Sequence, residues 1–242
     1  MKKRVLFGLV LAGVVGAAPV EAQLATGEQR PVRVMGGLQL VGAVSTGEFA
    51  DYVDGGFGAG ANIVWPVQAE SWFALRGDIG WIVYGSDTKR VCFQSTGCFV
   101  TLRLTTTNSI LYVNAGPQLM APRGAVRPYV NANAGFAYFS TTSSVKGDND
   151  SDSFASDTNF DDFTFAWGAG GGFLVPLSSG RTPISLDLGA AYHANGSVEY
   201  LTEGDIEENP QGGSPIITPT RSEANFVSIR LGVTIGFRPG VN

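Results

Sequence analysis

The single histidine of the 242-residue chain, His193, is followed closely by Ser197 and Glu199. Histidine titrates near neutral pH, so with a serine and a carboxylate in reach it could act as the base of an acyl-transfer site. No serine stands in a recognisable nucleophile motif, and the same residues read as a polar strand end. Three other groupings could carry chemistry. Cys92 and Cys98, the only cysteines, could pair as a disulfide or contribute to a metal site, but two thiols and one distant histidine are too few for a metal. "GAGGGF" over 168–173 suggests a phosphate-cradling loop, yet it lacks the third glycine and no amphipathic helix follows it. Two stretches are crowded with carboxylates: Asp148, Asp150, Asp152, Asp157, Asp161 and Asp162, then Glu199, Glu203, Asp205, Glu207, Glu208 and Glu223. Both read as solvated, mobile loops; divalent-cation binding is the alternative, but neither has calcium-loop spacing to support it. No cofactor and no enzymatic activity are expected.

Charges in the middle of apolar stretches carry more information. Arg76, Asp78, Asp187 and Arg230 each occupy the polar positions of a segment that alternates apolar and polar residues. Alternation with a period of two is the strand signal. In Phe163–Val175, Phe163, Phe165, Trp167, Phe173 and Val175 stand on one parity and Thr164, Gly168, Gly170 and Gly172 on the other. The same sorting recurs over Val34–Val44, Phe57–Trp65, Phe73–Val83, Leu111–Gln118, Val130–Tyr138, Ile184–Tyr192 and Val227–Phe237. These make eight strands. Short connections near Pro66, Pro122 and Pro176 alternate strictly with long ones around 45–54, 85–100, 141–161 and 194–222. Long loops on one rim and short turns on the other define an up-and-down barrel, and this is the transmembrane arrangement.

The polar face consists largely of glycine and alanine, which suits a cramped eight-stranded interior and makes a poor solvent surface. Trp65, Phe73, Phe173 and Phe237 fall near the short-turn rim, and Trp81, Tyr84, Tyr138, Phe163, Trp167, Tyr192 and Phe226 toward the loop rim. Two such groups fit aromatic belts at the headgroup layers. The apolar face therefore meets lipid, and the fold expected is all-β: an eight-stranded antiparallel up-and-down transmembrane β-barrel over 33–237. Arg76, Asp78, Asp187 and Arg230 then share the lumen with Asn114, Asn131 and Asn133. Two charges of each sign predict a hydrogen-bonded polar network that plugs it, because an unpaired buried charge is too costly.

Residues 1–22 read as a cleaved secretory signal: Lys2, Lys3 and Arg4, an apolar run, then Val20-Glu21-Ala22. Export through the Sec pathway follows. Residues 23–32 would form a periplasmic N-terminal segment and 238–242 a short tail. Without residues 1–22 the chain keeps 13 Lys and Arg against 20 Asp and Glu. That balance argues against nucleic acid, whose phosphates require a basic face. An oxidising destination favours the Cys92–Cys98 disulfide.

From Val34 to Phe237 the chain resembles the outer-membrane β-barrel family that includes the transmembrane domain of OmpA, OmpX and the opacity-type proteins. The likeness lies in "RPYVNANAGFAYF" (127–139), "GAGGGFLVPLSSGRTPISLDLGAAYH" (168–193) and "IRLGVTIGF" (229–237). It implies residence in a Gram-negative outer membrane, with lipid and lipopolysaccharide as surroundings. Val233, Ile235 and Phe237 resemble the closing signal that the barrel-assembly machinery reads, although Arg238–Asn242 follow the aromatic. The function implied is structural or adhesin-like, through loops that could meet an extracellular ligand. A narrow porin-like channel is the alternative, and a lipid-modifying enzyme a remote one.

Overall fold

The computed structural model describes residues 32–68, 71–92, 101–147, 153–178, 182–202, 205–207 and 216–237. Eight antiparallel strands close into one ring: β1 (Val34–Ser45), β2 (Gly55–Pro66), β3 (Phe73–Cys92), β4 (Thr101–Met120), β5 (Arg127–Gly147), β6 (Ser153–Ser178), β7 (Ile184–Asn195) and β12 (Phe226–Phe237). Each pairs with its neighbour along the ring, and β12 closes on β1 from Val34↔Phe237 to Ser45↔Phe226. Smaller elements fill the loop side: the 3-10 helix η1 (Gly47–Asp51) and two short hairpins, β8 (Ser197–Tyr200) with β11 (Thr220–Glu223), and β9 (Ile206–Glu207) with β10 (Ile216–Ile217).

Side-chain parity decides which face is which. Leu38, Phe57, Trp65, Trp81, Phe136, Phe165, Trp167, Phe173, Ile229 and Phe237 are exposed on the outside, as a lipid-facing wall requires. Inside, the small residues make room for large neighbours. A side-chain carbon on Gly80 would run into the Tyr112 ring, and one on Gly189 would lie 2.5 Å from the Tyr129 hydroxyl and 3.2 Å from the Arg230 guanidinium. The nearly bare face of the strands is thus the space occupied by a few long side chains. Gly80→Val is expected to cost ~1–3 kcal/mol, the usual penalty for overpacking. Equilibrium unfolding from lipid vesicles would measure it, with Tyr112→Ala in the same chain recovering part of the loss.

The structure differs from the sequence reading in three places. Tyr84 and Phe226, read as belt residues, point into the barrel, where Phe226 is fully buried. Their parity is that of Asp78 and Arg230, and position near a rim does not outweigh it. Within the segments read as long loops at 85–100 and 141–161, the described residues 85–92, 141–147 and 153–161 are strand, since β3, β5 and β6 extend well past the barrel. Ladders of hydroxyls hold them, with Oγ–Oγ distances of 3.0 Å for Thr88–Thr105 and Thr106–Ser143 and 3.1 Å for Ser109–Ser140. Strands that stand in water on both faces need no apolar stripe, so these extensions show no hydrophobic alternation. The acidic stretch around Asp157, Asp161 and Asp162 is accordingly strand β6 and not a loop.

Residues 1–31 and 238–242, and with them the leader, the N-terminal segment and the tail, lie outside the described residues, as do Cys98, Asp148, Asp150 and Asp152. A Cys92→Ser/Cys98→Ser chain is expected to insert normally, because closing so short a loop contributes at most ~2–3 kcal/mol. Absence of the double variant from outer-membrane fractions would contradict this.

Candidate functional site

The lumen is filled in three layers. At the short-turn end, Met35, Val64, Ala74, Met120, Tyr129 and Leu174 form a buried apolar cluster. Above it lie the charges. Arg76 and Asp78 are two apart on β3 and so face the same way: Nε of Arg76 donates to Oδ2 of Asp78 at 2.8 Å, and Nη2 donates to Oδ1 at 2.8 Å. This two-pronged geometry is the strong form of the Arg–carboxylate pair. From β12, Nη1 of Arg230 reaches Oδ1 of the same Asp78 at 3.4 Å. Arg76 also donates through Nη1 to Oε1 of Gln118 at 3.1 Å and stacks 5.4 Å from the Tyr129 ring centre. The Tyr129 hydroxyl donates to Oδ1 of Asp187 at 2.7 Å. Contacts from β12, β3, β4, β5 and β7 therefore cross the barrel axis. Arg76, Asp78, Asp187 and Arg230 are all buried, so the two cations and two anions balance in a space shielded from bulk solvent.

The asparagines behave differently from expectation. Asn114, Asn131 and Asn133 are buried in this layer, yet none makes a direct side-chain hydrogen bond among the described residues. An asparagine is too short to reach the axis. Asn114 lies over Gly135, its Oδ1 2.6 Å from where a side-chain carbon would stand, and Asn133 lies over Gly168. The longer Gln118 and Tyr129 make the cross-lumen bonds instead. Their parity, shared with Asn114 and Asn131, was the signal that could have found them.

At the loop end the mouth is covered. Phe49 of η1 turns inward and meets Tyr200 of β8 at 5.1 Å between ring centres, Tyr84 at 5.7 Å and Phe139 at 6.3 Å, all edge to face. Val41, Ile82, Ile110, Val198 and Phe226 belong to the same buried cluster. Edge-to-face contacts of this kind add ~0.5–1.5 kcal/mol to the burial of the rings. Tyr200 shares a hydrogen bond with the Ser222 hydroxyl at 2.8 Å, across the β8–β11 hairpin. Burial pushes its phenol above the ordinary value, against the smaller opposite effect of that bond, so it stays protonated. The longest acidic connection thus supplies a lid.

His193 lies under that lid and not on the rim. Its Nε2 sits 3.0 Å from the Ser228 Oγ, and its ring stacks on Phe226 at 4.5 Å. Ser197 and Glu199 are turned the other way: Arg221 donates to the Ser197 hydroxyl at 3.2 Å, and its guanidinium lies 3.9 Å from Glu199. The three residues that could have formed an acyl-transfer site are separated. Val233, Ile235 and Phe237 line the outer face of β12 at the short-turn end.

A closed antiparallel ring with an apolar outside and a filled, charge-paired inside is a transmembrane β-barrel. The chain matches the outer membrane protein beta-barrel domain over residues 7–237 and belongs to that family. No curated protein matches it. Among solved structures it is similar to Neisserial surface protein A, at 11% identity and a TM-score of 0.48, over 84% of this chain and 97% of that one. It is likewise similar to Ail, the attachment invasion locus protein of Yersinia pestis, at 12% identity and 0.46, over 86% and 99%. A third is a major outer membrane protein from Thermus thermophilus, at 14% identity and 0.41, over 84% and 99%.

Proposed function

We propose that this outer-membrane barrel is a closed one, with a structural or surface-interaction role exercised through its loop side, and not a solute pore. The observation that carries the reading is the occupied lumen: the Arg76–Asp78–Arg230 cluster lies between an apolar layer below and an aromatic lid above. An ion crossing it would have to break paired charges in a space with little water to replace them. The extensions of β3 to β6, which the long connections continue, give the protein an exterior surface larger than a barrel alone needs. On this reading the long connections face outside the cell, and Val233, Ile235 and Phe237 serve insertion by the assembly machinery. Lipopolysaccharide surrounds the wall.

The test is a conductance trace. Purified wild-type protein in a planar bilayer is expected to show no steady single-channel steps. Large, stable steps would replace this reading with that of a narrow channel.

A further inference from the structure

The loop side carries a cleft of about 370 Å³ that the lid does not fill. Its origin is local. Pairing of β2 with β3 ends at Phe57↔Val83, and the register of β3 against β4 slips between Val83 and Gly85. Tyr84, inward by parity, stands at that bulge, and beyond it β3 leaves the barrel wall with only β4 paired beside it. Asn108 packs against Gly85, within 3.1 Å of where a side-chain carbon would stand, and lines the cleft together with Tyr84. Residues 52–55, just after η1, line it as well, so the lining comes from a segment anchored by Phe49 and from strands held by the β4 ladder.

We propose that this cleft binds a neutral saccharide unit at the cell surface. Its lining is mainly polar and includes Asp54, Asp87, Lys89, Thr106 and Asn108, of which Thr106 also bonds the Ser143 hydroxyl and Asn108 accepts from Thr141 through Oδ1. Tyr52 stands at its edge. More than half exposed, Tyr52 is the exposed aromatic ring on the loop side, among the described residues, that does not sit on the lipid-facing wall. An aromatic face beside a mixed fan of donors and acceptors suits a sugar, whose ring presents C–H groups on one face and hydroxyls around its edge. Each hydroxyl both donates and accepts, which uses both signs of the lining. Other ligand classes fit less well. Two carboxylates against one ammonium repel a phosphate or sulfate, and the 3.6 Å Lys89–Asp87 pair leaves too little free negative charge for a cation. A greasy ligand would find too little apolar wall. The volume, toward the lower end of the ~300–1,000 Å³ usual for ligand clefts, holds a mono- or disaccharide.

This deepens the surface-interaction reading, and it rests on that reading for the side of the membrane the cleft faces. The experiment is calorimetric titration of the full chain in lipid nanodiscs with maltose, lactose and chitobiose, and separately with core oligosaccharide released from lipopolysaccharide. Binding of a free disaccharide assigns the cleft to soluble or foreign glycans; binding of the core oligosaccharide alone assigns it to the envelope's own. Either supports the proposal if Tyr52→Ala weakens it about tenfold or more, the loss expected of one stacking contact with its buried area. Tyr52→Phe should bind like wild type, because the ring and not its hydroxyl makes the contact. Tyr52 is exposed and no part of the lid cluster, and heat-modifiable migration on gels verifies that each variant is folded. No binding by any of these sugars, binding that Tyr52→Ala leaves unchanged, or binding of choline in their place overturns the proposal. Conductance recorded on the same preparation tests the closed barrel separately: a pore that still binds sugar through Tyr52 leaves this site standing.

Discussion

Replacing Asp78 by alanine is expected to destabilise the barrel by ~3–5 kcal/mol, the cost of leaving a buried partner uncompensated. Asp78 is the shared acceptor for two guanidiniums: its carboxylate takes the two-pronged bond from Arg76 and the 3.4 Å contact from Arg230. Without it, both cations remain in a space where Asp187 is already bonded to Tyr129. Arg230→Ala should cost less, because the Arg76–Asp78 pair survives and its own contact is the longer one. Urea unfolding of protein refolded into lipid vesicles, followed by tryptophan fluorescence, measures both. If Asp78→Ala costs under ~1 kcal/mol, the value of an exposed pair, the layer is wet and the barrier assigned to it disappears.

Phe49→Ala has the second large effect, and a different kind. Removing a fully buried phenylalanine costs ~3–5 kcal/mol, and here the loss falls on the docking of η1 and the β8–β11 hairpin and not on the strand ladders. Amides of Phe49–Val53 and Val198–Tyr200 should exchange with solvent roughly a hundredfold to a few thousandfold faster, as each ~1.4 kcal/mol is a factor of ten. Amides at the centre of β1 and β12 should be unaffected. The variant should still pass no steady current, because the charged layer beneath the lid is intact. Stable open steps from Phe49→Ala alone would show that the lid is the whole barrier.

The wall of this protein was legible because a period of two has one meaning in a closed sheet. Once Phe163, Phe165 and Trp167 face lipid, Gly168 and Gly170 must face inward, and the same logic puts Arg76, Asp78, Asp187 and Arg230 in one lumen. Parity also held for Tyr84, Phe226 and His193, where the position of a residue near a rim pointed elsewhere. What periodicity could not show was reach. Gln118 and Tyr129 span the lumen while Asn114 and Asn133 lie flat over glycines, a difference of side-chain length across a curved wall. Nor could it show the extensions of β3 to β6, since sheet solvated on both faces has no apolar face to announce it. The lid was hidden for a related reason: Phe49, Val198 and Tyr200 come from two irregular connections, and only the closed ring brings them together.

The seam between β1 and β12 has a kinetic consequence. Most pairings in the ring join neighbours in sequence, but Val34 meets Phe237 from the far end of the barrel segment. Bringing such distant segments together carries about 2–3 kcal/mol more chain entropy than closing a short turn, since each doubling of length adds ~0.6 kcal/mol. The seam should therefore zip last, after the hairpins along the rest of the ring. Until it does, both terminal strands present bare amide and carbonyl edges, which lipid cannot satisfy and which invite pairing with another copy. Insertion should accordingly be all-or-none, with its rate limited by that final encounter and its failures appearing as edge-to-edge aggregates before the ring is sealed.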